Sequence, residues 1–496
     1  MSAQNKLLEL SERRAKIISG DENGVLRQKD KGKLTARERL VQLFDEGSFV
    51  EIGAFVTQRP TEYSSDKDAP EAVVTGYGAV DGRLVYAFAQ DNAENSGAVG
   101  EMHAKKMVKT IELAVKTGAP VMMLFDSDGA RLNEGVDALW GYTSVLEKMA
   151  AASGVVPLIS VVMGLCSGAG ALISGGCDVT VMTKNAQMFL TAPIILKSAF
   201  SEDVDGLASA EGAMAAGNIH FIAQDDLDAL NQARNLLSYL PSNNLEAVGT
   251  VETDNPDRTS EAFNGLDEIT GNLPYIVSET VDAGTLLIAQ AGYADEMLTG
   301  FARLNGEAVG VIANNGDLSA IGAMKASRHI ALCDSFHLPI ITFIDVENFR
   351  MQAKEEAIGN VRALSRLAGA YVRATSPKVC TIVGRAFGSA AVAMTAGSDI
   401  TYAWPGAAIG LLPAPTAAEV LYRETMNTDG DLAANRAALE QNYINDVCAP
   451  YAAAKRGYID DIIEPATTRQ YLAAALSILS GKRVTSPARK HANMPL

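Results

Sequence analysis

The sequence is poor in the residue patterns that mark a metal centre, a disulfide framework or a membrane span. Its five cysteines (Cys166, Cys177, Cys333, Cys380 and Cys448) form no CxxC and no Cys/His spacing. The five histidines show no HExxH pattern, so no metal ligands are expected. Most of the cysteines sit in apolar, strand-like runs, which reads as buried thiols in a reduced, cytoplasmic protein. No run approaches the ~18 uninterrupted apolar residues of a spanning helix. Residues 1–20 are charged (Lys6, Glu9, Glu12, Arg13, Arg14, Lys16) and lack a signal-peptide core, so no direct membrane insertion is expected. Net positive charge is also missing: the chain carries −17 at pH 7, which argues against nucleic-acid binding. A phosphorylated small molecule remains compatible, since a local Lys/Arg cluster can bind one on an acidic protein.

What is present is a long, glycine-rich globular chain of 496 residues, 48% apolar with 43 glycines, enough for two or three domains. Residues 1–26 read as one amphipathic helix with Leu7, Leu8, Leu10, Ile17 and Ile18 on one side. Thr35 and Glu38 have capping-box spacing. The basic cluster Lys31, Lys33, Arg37 and Arg39 around them is either a solvated helix start or a phosphate anchor, and alone it favours the solvated reading. From residue 73 the pattern becomes β/α. Residues 73–80 and 83–90 read as strands paired around Asp81-Gly82, and 98–117 as a helix with Met102, Met107, Ile111 and Ala114 on its apolar face. A buried-type strand at 120–125 runs into Asp126-Ser127-Asp128-Gly129-Ala130-Arg131, followed by a helix over 136–152 and a strand over 157–163. That strand feeds Met163-Gly164-Leu165-Cys166-Ser167-Gly168-Ala169-Gly170-Ala171. Glycines at such a strand-to-helix turn leave backbone N–H groups free to face a ligand, the recipe for holding a developing negative charge; the plain alternative is a tight packing turn.

The chain then repeats itself about 220 residues later. PVMMLFD (120–126) returns as PIITFID (339–345), and VPLISVVMG (156–164) as SPKVCTIVG (376–384). CDVT (177–180) returns as SDIT (398–401), and the hairpin sequence DGRLV (81–85) as NGEAV (305–309). Each match alone is weak, but four in order at offsets of 219 to 224 indicate two copies of one fold. The polar stretch 252–272 holds the boundary, giving an N-terminal domain over 1–255 and a C-terminal domain over 256–496. Strand–helix alternation with buried strands implies a layered α/β architecture, and two copies are too few for a solenoid.

At this point the chain resembles the carboxyltransferase subunits of biotin-dependent acyl-CoA enzymes. The motifs that carry the resemblance are KLTARER (33–39), EGSFVE (46–51), VTGYG (74–78), FAQD (88–91), GEMHA (100–104) and DSDGAR (126–131). The second half adds Cys333-Asp334, YAWP (402–405), Arg456-Gly457 and the tail RKHANMPL (489–496). The resemblance implies two tandem crotonase-like (ClpP/crotonase superfamily) α/β domains. It also implies a hexamer built as a trimer of dimers, with sites between the first half of one chain and the second half of another. It implies an acyl-CoA of the propionyl/methylmalonyl or acetyl/malonyl class bound mainly by the first half. Biotin on a separate biotin carboxyl carrier protein would be held mainly by the second, with a biotin carboxylase subunit or a membrane decarboxylase subunit as further partner.

Carboxyl transfer next to a thioester passes through an enolate, and the biotin side develops charge on its ureido oxygen, so each half needs backbone donors aimed at one oxygen. The freed biotin nitrogen can take the α-proton, so a His or carboxylate constellation is not required. The resemblance places the thioester oxyanion hole at Gly129, Ala130, Gly168 and Ala169, and the biotin-side hole at Asn348, Phe349, Gly388 and Ser389. It gives Lys33, Arg37, Arg131 and Ser167 to coenzyme A. The first half departs from the family pattern at Asp128 and Ala169, each in place of Gly, and at Leu165 in place of Pro. Asp128 brings a carboxylate close to the site. The second half has Glu347-Asn348 for Pro-Gly, Phe387-Gly388-Ser389 for Tyr-Gly-Gly, and Asn314-Asn315-Gly316 for Asn-Gln-Pro. Asn tolerates left-handed backbone, so Asn348 is expected to preserve the turn. Val392, where propionyl-type members often carry Asp, leans toward the transcarboxylase and decarboxylase branches. Ala323-Met324-Lys325-Ala326 mimics a biotin attachment site but lies in an α/β context and lacks the second Met, so biotin is expected on another polypeptide. Two other readings are a sodium-pumping acyl-CoA decarboxylase alpha subunit and a biotin-independent crotonase-like hydratase or thioesterase using Asp128 or Glu134.

Overall fold

A computed structural model describes residues 3–62, 69–251, 254–265, 271–422, 432–485, 487–488 and 491–493. Parts of the 252–272 stretch and, in the C-terminal motif, residues 489–490 and 494–496 lie outside them. The chain forms two compact units, Met1–Ala247 and Val248–Leu496. Each is built on one eight-stranded sheet with helices around it.

The strands of the first unit are β1 (Val50–Ile52), β2 (Val73–Val80), β3 (Arg83–Gln90), β4 (Val121–Ser127), β5 (Leu158–Ser167), β6 (Val179–Thr183), β7 (Gln187–Phe189) and β8 (Phe221–Ala223). The second unit has β9 (Leu287–Ala289), β10 (Met297–Leu304), β11 (Glu307–Asn315), β12 (Ile340–Val346), β13 (Lys378–Phe387), β14 (Ile400–Ala403), β15 (Ala408–Gly410) and β16 (Asp461–Ile462). The sheet orders, β1-β2-β3-β4-β5-β6-β8 and β9-β10-β11-β12-β13-β14-β16, are the same topology, with β7 on β5 and β15 on β13. The repeat is therefore a duplication of one fold.

The matching motifs have identifiable jobs. Asp81 (φ 49°) and Gly82 (φ 76°) turn β2 into β3; Asn305 (φ 52°) and Gly306 (φ 80°) turn β10 into β11. Both pairs suit the two-residue turn whose twist matches the strands. Each turn is capped by a carboxylate: Asp45 accepts from Asp81 N (3.1 Å) and Gly82 N (2.9 Å), and Asp282 from Asn305 N (2.9 Å) and Gly306 N (2.8 Å). The repeated Asp178 and Asp399 tie strand starts together, accepting from Leu158 N and Lys378 N at 2.8 Å. Continuous apolar runs form the central strands β4 and β12, buried at every position. The helix Glu101–Thr117 buries Met107, Ile111 and Ala114 and crosses Val136–Ala152 closely, since a Cβ on Gly141 would lie 2.8 Å from Ala104 Cβ. All five cysteines are buried, and Trp404 of the YAWP motif is fully buried with Nε1 donating to Thr468 Oγ1 at 2.9 Å.

Two expectations change. Residues 1–26 are not one helix: Ala3–Ser19 and Glu22–Asp30 are separated at Gly20 (φ 61°), and Asp21 caps the second through Gly24 N (2.9 Å). β5 also runs past the expected end at 163 to Ser167, because β7 pairs with its extension. The turn is thereby reduced to Gly168. Among the described residues no helix is long and apolar enough to cross a membrane.

The two turn-capping carboxylates are paired very differently. Arg469 and Asp282 side chains are 2% and 0% exposed, whereas Arg234 bridges Asp45 to Asp81, whose side chain is 65% exposed. Arg469→Ala is expected to destabilise the protein by about 3–5 kcal/mol, because it removes a buried cation from its ion pair with the buried Asp282 carboxylate. Arg234→Ala is expected to cost only about 1 kcal/mol. Urea unfolding of the two variants checks the difference.

Candidate active site

The first site forms where β4 and β5 end side by side, with a register shift between Phe125 and Ser127. Ser167 Oγ donates to Asp128 O at 3.0 Å, binding the two loops together. Ala130 forms a bridge with Val99: Val99 N donates to Gly129 O (2.8 Å) and Arg131 N to Val99 O (2.9 Å). Gly129 (φ 118°) and Gly168 (φ 53°) take up backbone that L side chains rarely adopt. Their own N–H groups are engaged, Gly129 N with Ser127 Oγ (3.1 Å) and Gly168 N with Phe189 O (2.9 Å). The donors left facing outward are those of the next residues. Ala130 is exposed and its N–H takes no part in the Val99 bridge. Ala169 opens the helix Ala169–Gly175, so no carbonyl precedes it within that helix. Of the four residues expected to build the hole, Gly129 and Gly168 thus have engaged N–H groups, while those of Ala130 and Ala169 lie outside the bridge and at the helix start.

Beneath the loops lies a buried carboxylate absent from the sequence-based site. Asp126 Oδ2 accepts from Lys33 Nζ (2.6 Å) and Arg39 Nη1 (3.0 Å). Arg39 also donates from Nε to Asp226 Oδ2 (2.9 Å), and Asp226 accepts from Leu34 N at 3.0 Å. Gly164 is needed here because a Cβ would sit 1.9 Å from Asp126 Oδ1 and 2.5 Å from Lys33 Nζ. The solvated reading of the basic cluster is therefore corrected. The Thr35–Glu38 capping box forms, but it aims Lys33 and Arg39 inward, onto charge, and Arg39 is 1% exposed. Burial pulls the Lys33 ammonium down despite Asp126. For Arg39 burial also opposes the charge, but Asp126 and Asp226 outweigh it and hold its pKa raised. Arg37 is paired with both carboxylate oxygens of Glu51, so its guanidinium is already engaged.

Arg131 is likewise not a surface ligand. It is buried, donating to Glu134 Oε1 (2.6 Å), to both oxygens of Glu71 and to Ala98 O (2.8 Å). Glu134 Oε2 in turn accepts from Glu101 N (2.6 Å), and a Cβ on Gly100 would meet that carboxylate at 2.3 Å. The fully buried His103 ring stands 3.6 Å from Glu71. Burial pushes the Glu71 carboxyl up, but His103 and Arg131 outweigh it and hold it at about 2. This buried network fastens residues 98–101 to the donor loop from behind. It leaves Glu134 no freedom to act as an acid.

A cavity of about 490 Å³ opens beside the loops, lined in part by Lys31, Lys33, Asp128, Gly164 and Leu165. Asp128 is exposed there and forms no ion pair among the described residues.

The second unit repeats the plan with different parts. Leu318 bridges Phe349, with Leu318 N donating to Asn348 O (3.0 Å) and Arg350 N to Leu318 O (2.9 Å). Phe349 N–H is left outside that bridge, as Ala130 N–H is in the first. Gly388 (φ 57°) opens the helix Gly388–Thr395, followed by Ser389, with Val392 exposed on the same helix. The expected left-handed turn at Asn348 is not found, since its φ is not positive, and the Leu318 bridge holds the loop without it. Asp345 is the counterpart of Asp126, 0% exposed beneath Gly384, whose Cβ would lie 2.7 Å from its carboxyl. Its cation comes from its own sheet: Arg385 N (2.9 Å), Nε (2.8 Å) and Nη2 (3.2 Å) donate to it, and Nη1 reaches Glu347 at 2.6 Å. Lys325 of the biotin-site mimic is buried, donating to Gln290 O (2.9 Å) and Tyr293 O (2.7 Å), so it is closed to attachment.

The buried supports escaped the sequence reading because Asp126, Glu71 and His103 gain partners far along the chain. The one available signal was the repeated pairing of a strand-end Asp (126, 345) with a strand Gly (164, 384).

Residues 27–494 match the carboxyl transferase domain family. The chain is 41% identical to the methylmalonyl-CoA decarboxylase subunit alpha of Veillonella parvula, over 100% of both chains. It is 39% identical to the methylmalonyl-CoA carboxyltransferase 12S subunit of Propionibacterium freudenreichii subsp. shermanii, over 99% of this chain and 97% of the relative. The crystal structure of transcarboxylase 12S, a hexamer with methylmalonyl-coenzyme A and methylmalonic acid bound, matches with a TM-score of 0.96 at 39% identity, covering 100% of this chain and 99% of that one. The two duplicated α/β units thus have the crotonase-like fold of that structure, and the chain belongs to the carboxyl transferase domain family.

Proposed function

We propose that the protein is the carboxyltransferase component of a biotin-dependent enzyme. It would move a carboxyl group between an acyl-CoA of the propionyl/methylmalonyl class and biotin on a separate carrier protein. The observation that carries this reading is the duplication of the donor loop: Ala130 and Ala169 N–H in one unit, Phe349 and Ser389 in the other. The reaction develops charge on two different oxygens, and two equivalent loops meet that need. Each well-placed backbone donor is worth about 3–4 kcal/mol to an oxyanion.

In the first unit, Ala130 and Ala169 N–H hold the thioester oxygen as the α-carbon becomes an enolate. Gly129 and Gly168 set the angle of those donors, and the Arg131–Glu71–Glu134 network keeps the loop from moving as charge appears. Lys33 with Lys31 on the cavity rim, and Ser167, are the groups of this unit suited to coenzyme A. In the second unit the loop suits the ureido oxygen on which charge develops, because Arg385 is ion-paired with both Asp345 and Glu347 and the groups left to the oxygen are N–H donors. Bound biotin supplies the transferable carboxyl group and a nitrogen able to take the α-proton. The carrier protein is the expected partner, with either a biotin carboxylase subunit or a membrane decarboxylase subunit beside it. The 12S hexamer supports a homo-hexamer built as a trimer of dimers. The decarboxylase relative supports the decarboxylating direction as readily as the carboxylating one, since one enolate serves both.

The test is transfer between methylmalonyl-CoA and a biotinylated carrier; absence of transfer in both directions overturns the reading. Two variants resolve the halves. Gly168→Val places a β-branched residue at φ 53° with no atom within 4 Å of its Cβ, so the change acts through the turn itself. It is expected to lower transfer by about 100-fold or more through misaimed donors. Gly388→Val, at φ 57° with Leu411 O 3.2 Å from the new Cβ, is expected to lose transfer comparably while acyl-CoA binding, read by calorimetry, stays unchanged.

A further inference from the structure

The two loops differ in how one carboxylate is paired. Asp128 and Glu347 occupy the same place in the repeat, two residues before the outward donors Ala130 and Phe349. Glu347 is ion-paired at 2.6 Å with Arg385, which it shares with Asp345. The position equivalent to Arg385 in the first unit is Leu165, which carries no charge and lines the same cavity as Asp128. Lys33, a nearby partly buried cation, has its Nζ on Asp126 instead. The Asp128 carboxylate is thus exposed to the cavity and without an ion-pair partner among the described residues. Its backbone is clamped on both sides, with Asp128 N donating to Ser96 O (3.1 Å) and Ser167 Oγ to Asp128 O (3.0 Å). Two residues of chain reach at most about 7 Å, so this carboxylate, on a held backbone, lies within a side chain's length of the Ala130 donor. Glu134, the other acid near the loop, is buried and fully engaged.

An oxyanion hole beside an unpaired carboxylate is the minimum apparatus for removing a proton next to a carbonyl. We propose that Asp128 is a catalytic base giving the N-terminal unit a second activity, the biotin-independent enolisation of neutral acyl-CoA thioesters. The proposal rests on the reading of Ala130 and Ala169 as the thioester hole. A carboxylate oxygen of Asp128 takes the α-proton, forming an O–H bond as the C–H bond breaks. The electron pair passes into the enolate, whose oxygen is held by the two N–H groups. The proton on Asp128 exchanges with solvent, and its return to the α-carbon regenerates the thioester. No other reactant is consumed.

Propionyl-CoA incubated with the full chain in D2O, without biotin or carrier, is the test. Deuterium is expected at the α-carbon, read by mass spectrometry. Asp128→Asn is expected to slow incorporation by about 100-fold or more, the scale of a positioned general base. Propionyl-CoA should still bind to this variant, and Asp128→Glu should recover part of the rate. No exchange by the wild-type protein, or exchange at the wild-type rate in Asp128→Asn, overturns the assignment. Carboxyl transfer with a biotinylated carrier, measured on the same preparations, separates the two readings. Transfer without exchange removes only the role of Asp128, whereas loss of both removes the carboxyltransferase reading as well.

Discussion

Both units are organised around a carboxylate with almost no exposure, set at the end of a central strand beneath a glycine of the next one: Asp126 under Gly164 and Asp345 under Gly384. A buried ion tolerates neither the loss of its partner nor a shift in position, because solvation no longer compensates for either. The strand ends that carry the donor loops are therefore held in one arrangement. The glycine above each carboxylate is required by space, not flexibility. Everything nearer the substrate depends on that arrangement.

The way each unit neutralises its carboxylate separates them. In the second unit Arg385 stands on the adjoining strand and needs no help from elsewhere. In the first, the charge is met by Lys33 and Arg39 from an N-terminal segment that is in turn anchored by Asp226, nearly 190 residues along. This makes the KLTARER segment a structural part of the site. Its motif residues are aimed inward, and only Lys33 keeps an edge on the cavity. Where the second unit has Arg385 the first has Leu165, so Asp128 lacks an ion-pair partner among the described residues. This one difference between the units changes both the support and the electrostatics of the loop.

Backbone donors suit a reaction whose charge appears on an oxygen and moves away again. They carry a fixed partial charge, cannot titrate, and cost no reorganisation when held by a rigid loop. The network of Arg131 with Glu71 and Glu134 supports the loop from behind, using buried charged groups that are engaged with one another.

Local and periodic features were legible in the chain alone. The β2–β3 hairpin and the helix Val136–Ala152 have the bounds their residues predict, and the duplication follows from PVMMLFD and PIITFID at a fixed offset. Apolar period, turn chemistry and repeat spacing are properties of neighbouring residues, so they survive without coordinates. The candidate loops stand out in the sequence for the same reason, through their glycines. The sequence left undecided which N–H groups of those loops stay free, where Arg39, Arg131 and Arg37 point, and why Asn348 needs no left-handed turn. Those depend on partners such as Asp226, Glu71, Glu51 and Leu318, remote in sequence and set by how strands and helices pack. A charged side chain written in a motif is equally at home on a phosphate or on a buried carboxylate. Only the tertiary structure decides which, because burial determines whether a charge must be answered from within the chain.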